Sequence, residues 1–118
     1  MDTNMMRIAT KCFNQHKNTE ETMNIDRVIA ALNSGLRREI LKIIAERPMT
    51  AVEVFRELKR RKPEIRYRET VYRALERLSD ADLVEKYYAK EKGLCYKISV
   101  INLSIDLTSA TVRGTTVK

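Results

Sequence analysis

Tyr67-Arg68-Glu69-Thr70-Val71-Tyr72-Arg73-Ala74-Leu75-Glu76-Arg77-Leu78-Ser79 is the stretch on which the fold turns. Val71, Ala74, Leu75 and Leu78 recur at i, i+3, i+4 and i+7, which is the apolar stripe of an amphipathic helix. With that stripe inward, Arg68, Glu69, Tyr72, Arg73, Glu76 and Arg77 are left outward or flanking, and Thr70 lies near the start. Upstream, Thr50-Ala51-Val52-Glu53 has the form of a capping box, in which hydroxyl and carboxylate each satisfy a backbone N–H. It opens a helix that buries Ala51, Val54, Phe55 and Leu58. That helix ends in four cations, Lys59 to Lys62, which complement the negative C-terminal dipole, and Pro63 stops it. Downstream, Val84 to Ile98 is rich in Tyr, Val and Ile around Lys90-Glu91-Lys92-Gly93 and reads as a β-hairpin with a basic turn.

Further out, Leu36, Ile40, Ile43 and Ile44 line a helix over about Ser34 to Glu46, ended by Pro48. Ile25 to Leu32 is another helix, with Asn24 as N-cap and Asn33-Ser34-Gly35 as its break. Met5, Ile8, Ala9, Cys12 and Phe13 give an amphipathic helix over residues 3–16, and the polar run Lys17 to Thr22 reads as a linker. Leu103, Ile105 and Leu107 alternate with polar residues, and Thr108-Ser109-Ala110 turns the chain before Thr111 to Val117, a second hairpin. The expectation is a mainly α fold with a small β component. It is a winged helix-turn-helix over residues 23–99, with an extra N-terminal helix and linker over 1–22 and a β-rich C-terminal tail over 100–118. The N-terminal stripe is too apolar to leave in water. It packs on its own domain or on a partner, and dimerisation is the preferred reading.

The charge is concentrated where the fold decides. The 118-residue chain carries a formal net charge of +7, a balance that favours nucleic acid or an anionic membrane. Between Arg56 and Arg77 nine Lys/Arg face four Glu. In a helix-turn-helix the second helix enters the major groove and the first crosses the backbone. Arg68, Arg73 and Arg77 then reach phosphates or guanine edges. Tyr67 and Tyr72 add hydroxyls and flat surfaces, and Glu69 orients a neighbouring arginine or accepts from cytosine. Arg66, Thr70 and, at the hairpin tip, Lys90 and Lys92 complete the expected DNA-binding set. Asp80 and Asp82 read as turn residues.

Other chemistries find little support. There is no G-x-S-x-G, no Gly-rich phosphate loop and no H-E-x-x-H, so the expectation is a protein that is not an enzyme. Two cysteines, Cys12 and Cys95, and the single His16 are too few soft ligands for an all-protein zinc site. Cys95 reads as an inert strand thiol and His16 as a surface or interface residue. No cofactor, no metal and no membrane partner is expected. Two lone thiols and the absence of a signal-type or spanning segment suggest a cytoplasmic protein.

Ile25 to Ile98 resembles the winged-helix domain of ArsR-like transcription regulators of archaeal type. Ala31 to Ala45 (A-L-N-S-G-L-R-R-E-I-L-K-I-I-A) is similar to that family's opening helices, and Glu69 to Val84 to its recognition helix and wing entry. The same region, with Ala51 to Leu58, Pro63 to Ile65 and the T-V-Y-R run Thr70 to Arg73, also resembles the DNA-binding half of the ferric-uptake-regulator family. The resemblance implies a DNA-contact role for Thr70, Tyr72 and Arg73. The chain departs from both patterns. No Cys falls on the Ala51 to Leu58 helix, where metal-sensing ArsR members carry theirs, and the His-rich metal and dimer domain of ferric-uptake regulators is missing, so metal sensing is not carried over. The connector Lys59 to Arg68 is longer than the usual ArsR turn. Asp82 stands where a glycine normally follows the recognition helix, and a left-handed backbone is less comfortable there. The function expected is a sequence-specific double-stranded-DNA-binding regulator, a homodimeric repressor. The rivals are a winged-helix module that docks a protein in a larger assembly and an RNA-binding protein.

Overall fold

A computed structural model describes residues 18–117. The helix expected over residues 3–16 lies outside them. Four helices follow in order: α1 (Ile25–Leu32), α2 (Gly35–Glu46), α3 (Ala51–Arg61) and α4 (Arg68–Asp80). The strands are β1 (Asn18–Met23), β2 (Met49–Thr50), β3 (Val84–Ala89), β4 (Gly93–Ile98), β5 (Val100–Asp106) and β6 (Thr111–Val117). They form two three-stranded sheets, β2-β4-β3 and β1-β6-β5.

The helices start and stop where local chemistry dictates. Asn24 and Ser34 cap α1 and α2, accepting from the N–H of Arg27 and of Arg37. Thr50 and Glu53 form the complete capping box of α3, at 3.2 and 3.0 Å. The carbonyls left over at the end of α1 are taken by two side chains of α2. Arg37 Nε donates to Ala31 O at 2.7 Å and Arg38 Nη1 to Leu32 O at 2.6 Å, so two arginines that fall outside the core fix the α1–α2 corner. The core gathers Ile40, Ile43 and Ile44 of α2, Val54 and Leu58 of α3, and Val71, Leu75 and Leu78 of α4, all 0–1% exposed. Burying one such side chain contributes about 1.5–3 kcal/mol, against about 0–1 for an exposed ion pair. The apolar stripes therefore set how the helices pack.

The exit from α4 keeps a left-handed residue without a glycine. Asp82 has φ +63, its N–H donates to Ser79 O at 3.0 Å, and the N–H of Leu83 donates to Leu78 O at 3.1 Å. That is the Schellman bond pair, closed by contact between two buried leucines. Asp tolerates the left-handed region better than most L residues, and Leu83 is thereby delivered to the core. The β3–β4 hairpin runs in register from Val84↔Ile98 to Ala89↔Gly93, leaving Lys90–Lys92 as its tip.

The expectation of a mainly α fold with a small β component is overturned. Helices of 8, 12, 11 and 13 residues stand beside strands of 6, 2, 6, 6, 7 and 7. The largest difference is Asn18–Met23, which overlaps the Lys17 to Thr22 run read as a linker. It is a strand that pairs antiparallel with β6, from Asn18↔Val117 to Met23↔Val112. It carries no apolar stripe, and its reason for being extended is a partner 89 to 99 residues away. The second hairpin, β5–β6, lies where the alternation of Leu103 and Ile105 places it. Residues on one face of that sheet (Val100, Val112, Gly114) are buried, and Met23 and Leu103 pack against the helical core. Its other face carries Asn102, Ser104 and Arg113, all exposed. No helix among the described residues is long and apolar enough to cross a membrane.

Candidate nucleic-acid interface

The α3–α4 pair forms a helix-turn-helix joined by Lys62 to Tyr67, and the β3–β4 hairpin lies beside α4. Glu76 is the joint. Its carboxylate accepts from Lys86 Nζ of β3 at 3.1 and 3.2 Å and from the Tyr96 hydroxyl of β4 at 3.2 Å. Burial first, then the Glu76 charge, pushes the Tyr96 hydroxyl up to about 12, so it stays a donor throughout the physiological range. Neither Glu76 nor Tyr96 was expected to bind anything. Nothing in their local sequence distinguishes them, because the contact spans twenty residues.

The expected DNA-binding residues divide into groups. Arg66, Tyr67, Arg68 and Thr70 sit together at the connector and first turn of α4, all exposed. Arg66 forms no ion pair among the described residues, and Arg68 packs its guanidinium 5.8 Å from the Phe55 ring centre. Lys59 Nζ lies 5.7 Å from the same ring, so cations of α3 and α4 meet on one aromatic of the first helix. Tyr72 and Arg73 come one turn later. Arg73 is exposed but held by Glu69, Nη2 to Oε1 2.7 Å, the orienting role expected of that glutamate. Arg77 points elsewhere, lining a cleft between α1 and α4 with Asp26, Arg27 and Asp80. At the hairpin tip Lys90 makes no ion pair among the described residues, whereas Lys92 reaches Glu53 at the start of α3, 3.3 Å away.

The acids on this surface matter as much as the cations. Helical spacing puts Glu69, Arg73, Glu76 and Asp80 along the outermost line of α4. Farther back, Arg60 and Arg61 at the end of α3 are paired with Glu57, and Arg61 also with Glu46 at 3.0 Å and Glu39 at 3.6 Å. Much of the positive charge counted along the chain is thus neutralised locally. Among the described residues, Arg56 and Lys59 of α3, Lys62 and Arg66 of the connector, Arg68 and Arg77 of α4 and Lys90 of the hairpin tip form no ion pair.

The profile described as the Ferric uptake regulator family matches residues 31–106, more than half of the chain. The chain belongs to the ferric uptake regulator family. No curated protein and no solved structure matches it. Of the two resemblances read from the sequence, the match falls on this one and lends nothing to the ArsR-like one. This ferric-uptake-family member is accordingly a DNA-binding transcription regulator, from a family of regulators rather than enzymes.

Membership also corrects the expectation of a regulator with no metal partner, because ferric uptake regulators are metal-sensing DNA-binding proteins. The described residues do not by themselves fit such a centre. No group of three or more His, Cys, Asp or Glu among them could hold an ion. Cys95 is a buried lone thiol, and Glu53 and Glu76 already serve Thr50, Lys92, Lys86 and Tyr96. Cys12 and His16 lie outside the described residues.

Proposed function

We propose that this regulator binds duplex DNA as a homodimer in the cytoplasm and represses transcription. In this reading α4 lies in the major groove and the β3–β4 hairpin along the backbone or minor groove. The observation that carries it is the exposed cluster Arg66, Tyr67, Arg68 and Thr70 at the start of α4, because helix-turn-helix recognition helices meet base edges with their N-terminal residues. Tyr72 and Arg73 extend it by one turn, Arg77 serves the phosphates from the α1 side, and Lys90 and Lys92 do so from the hairpin tip. Dimerisation is supported by β5. It is a sheet edge with Ile105 about half exposed, whereas the other edge, β1, carries Glu20 and Glu21; unprotected apolar edges pair with another chain. Fluorescence anisotropy on selected genomic fragments tests the reading. Affinity falls steeply with salt, and Tyr72→Ala with Arg73→Ala weakens binding strongly while the fold stays intact. Unaltered affinity removes α4 from the interface.

A further inference from the structure

A groove of about 390 Å³ opens between the helical core and the second sheet. Leu41 and Ala45 of α2 form one wall, Ile101 and Leu103 of β5 the other, and Leu83 and Val100 the floor. Only Lys42 and Asn102 among its lining residues are polar. Ile101 is 48% exposed, so part of this apolar lining meets water, in a groove of the size that small apolar side chains can fill.

The register of the second sheet shows what chain is nearest. Val100 pairs with Thr116, and Asn18 with Val117. Asn18 therefore enters the sheet two strands from the groove floor, about 10 Å away, at the same end. The chain before Asn18 carries Met5, Ile8, Ala9, Cys12 and Phe13 at i, i+3, i+4, i+7 and i+8. The five residues from Phe13 to Asn18 can span up to roughly 17 Å. A stripe that needs burial is thus tethered within reach of a groove that needs covering, and the local concentration set by so short a tether favours it over any free partner.

We propose that this groove is the docking site of the chain's own amino-terminal stretch, with Ile8, Cys12 and Phe13 as the inserted side chains. The interaction joins the regulator's first residues to the seam between the helix-turn-helix and the second sheet. It does not depend on how DNA is bound. Cys12 makes it testable, since the other thiol, Cys95, is buried at 2% exposure. In the full chain carrying Ala45→Cys, a short bis-maleimide links Cys12 to the introduced thiol within one molecule, severalfold more than in a Ser104→Cys control on the sheet's polar face. Equal linking in both variants overturns the proposal. A link between two chains overturns it as well, because it gives the groove to a second copy. As an independent reading, Ile8→Asp with Phe13→Asp raises binding of an apolar dye severalfold and speeds amide exchange over residues 98–103. Unchanged dye binding and exchange overturn the proposal even where cross-linking is inefficient.

Discussion

Arg73 shows how a proposed role and a local bond pull on one side chain. With Thr70 and Tyr72 it is proposed to contact DNA, yet its guanidinium is held by Glu69 at 2.7 Å. Both side chains are more than 70% exposed, so the pair is weak and a phosphate can displace the glutamate. Glu69→Gln removes the competitor. Its expected effect is severalfold tighter DNA binding and a log affinity against log salt slope steeper by about one, the value for one additional phosphate contact. Arg73→Ala gives the opposite change in both. If Glu69→Gln weakens binding instead, Glu69 contacts the DNA itself. Asp82 is the second residue with a readable conflict. Its φ of +63 suits glycine, tolerates Asp and penalises a β-branched side chain. Urea denaturation is expected to place Asp82→Val about 1–2 kcal/mol below Asp82→Gly; equal midpoints would show the turn to be elsewhere.

At the scale of elements, the helices were legible because their causes are local. Asn24 and Thr50 announce two helix starts, and both accept the expected N–H; Ser34, read only as part of a break, caps a third. The α3 capping box has a pH signature. The Thr50 N–H holds the Glu53 carboxyl below its ordinary value; burial opposes it in part, and Lys92 and Arg47 add smaller pulls downward. A depressed carboxyl adds stability above its unfolded value and loses it as pH falls through that range. Glu53→Gln is therefore expected to be less stable than the native chain at neutral pH, with the gap closing below about pH 4. Thermal melts across that range check it; a gap independent of pH would assign the loss to packing. The strands were less legible. β1 has no apolar period of its own and is extended only because β6 lies beside it. Its fit there depends on Gly114, where an added Cβ would stand 2.5 Å from Met23 Sδ and 2.9 Å from Val100 Cγ1. Methionine can swing aside, but Val100 is buried and stiff at χ1. Gly114→Ala is expected to cost about 1–3 kcal/mol, seen as a lower denaturation midpoint.

At the scale of the molecule, summed charge proved a poorer guide than pairing. Nine cations against four acids between Arg56 and Arg77 promised one positive face. The fold ties Arg60, Arg61 and Arg73 to glutamates and divides the cations without an ion pair among the described residues between α3, the connector and both ends of α4. Which acids meet which cations is decided by helix packing, through pairs such as Arg61–Glu46 that are fifteen residues apart, and composition does not carry that information. The two sheets divide the chain's tasks in a way the sequence left open. One sheet extends the helix-turn-helix with a hairpin clamped by Glu76. The other closes the chain's first described strand onto its last and ends in the β5 edge. A two-fold dimer built across that edge would join two such sheets and carry two α4 helices, as a palindromic site requires. Ile105 is 49% exposed on β5, and its side chain is not needed by the core. Ile105→Lys puts an inward-pointing charge on the edge, the device by which natural sheets block pairing. Sedimentation is expected to show a monomer with an unchanged melting profile. Its affinity for a palindromic site should fall to that for a half-site, because two recognition helices no longer bind as one unit. A variant that remains dimeric would move the interface away from β5 and leave the edge to some other strand.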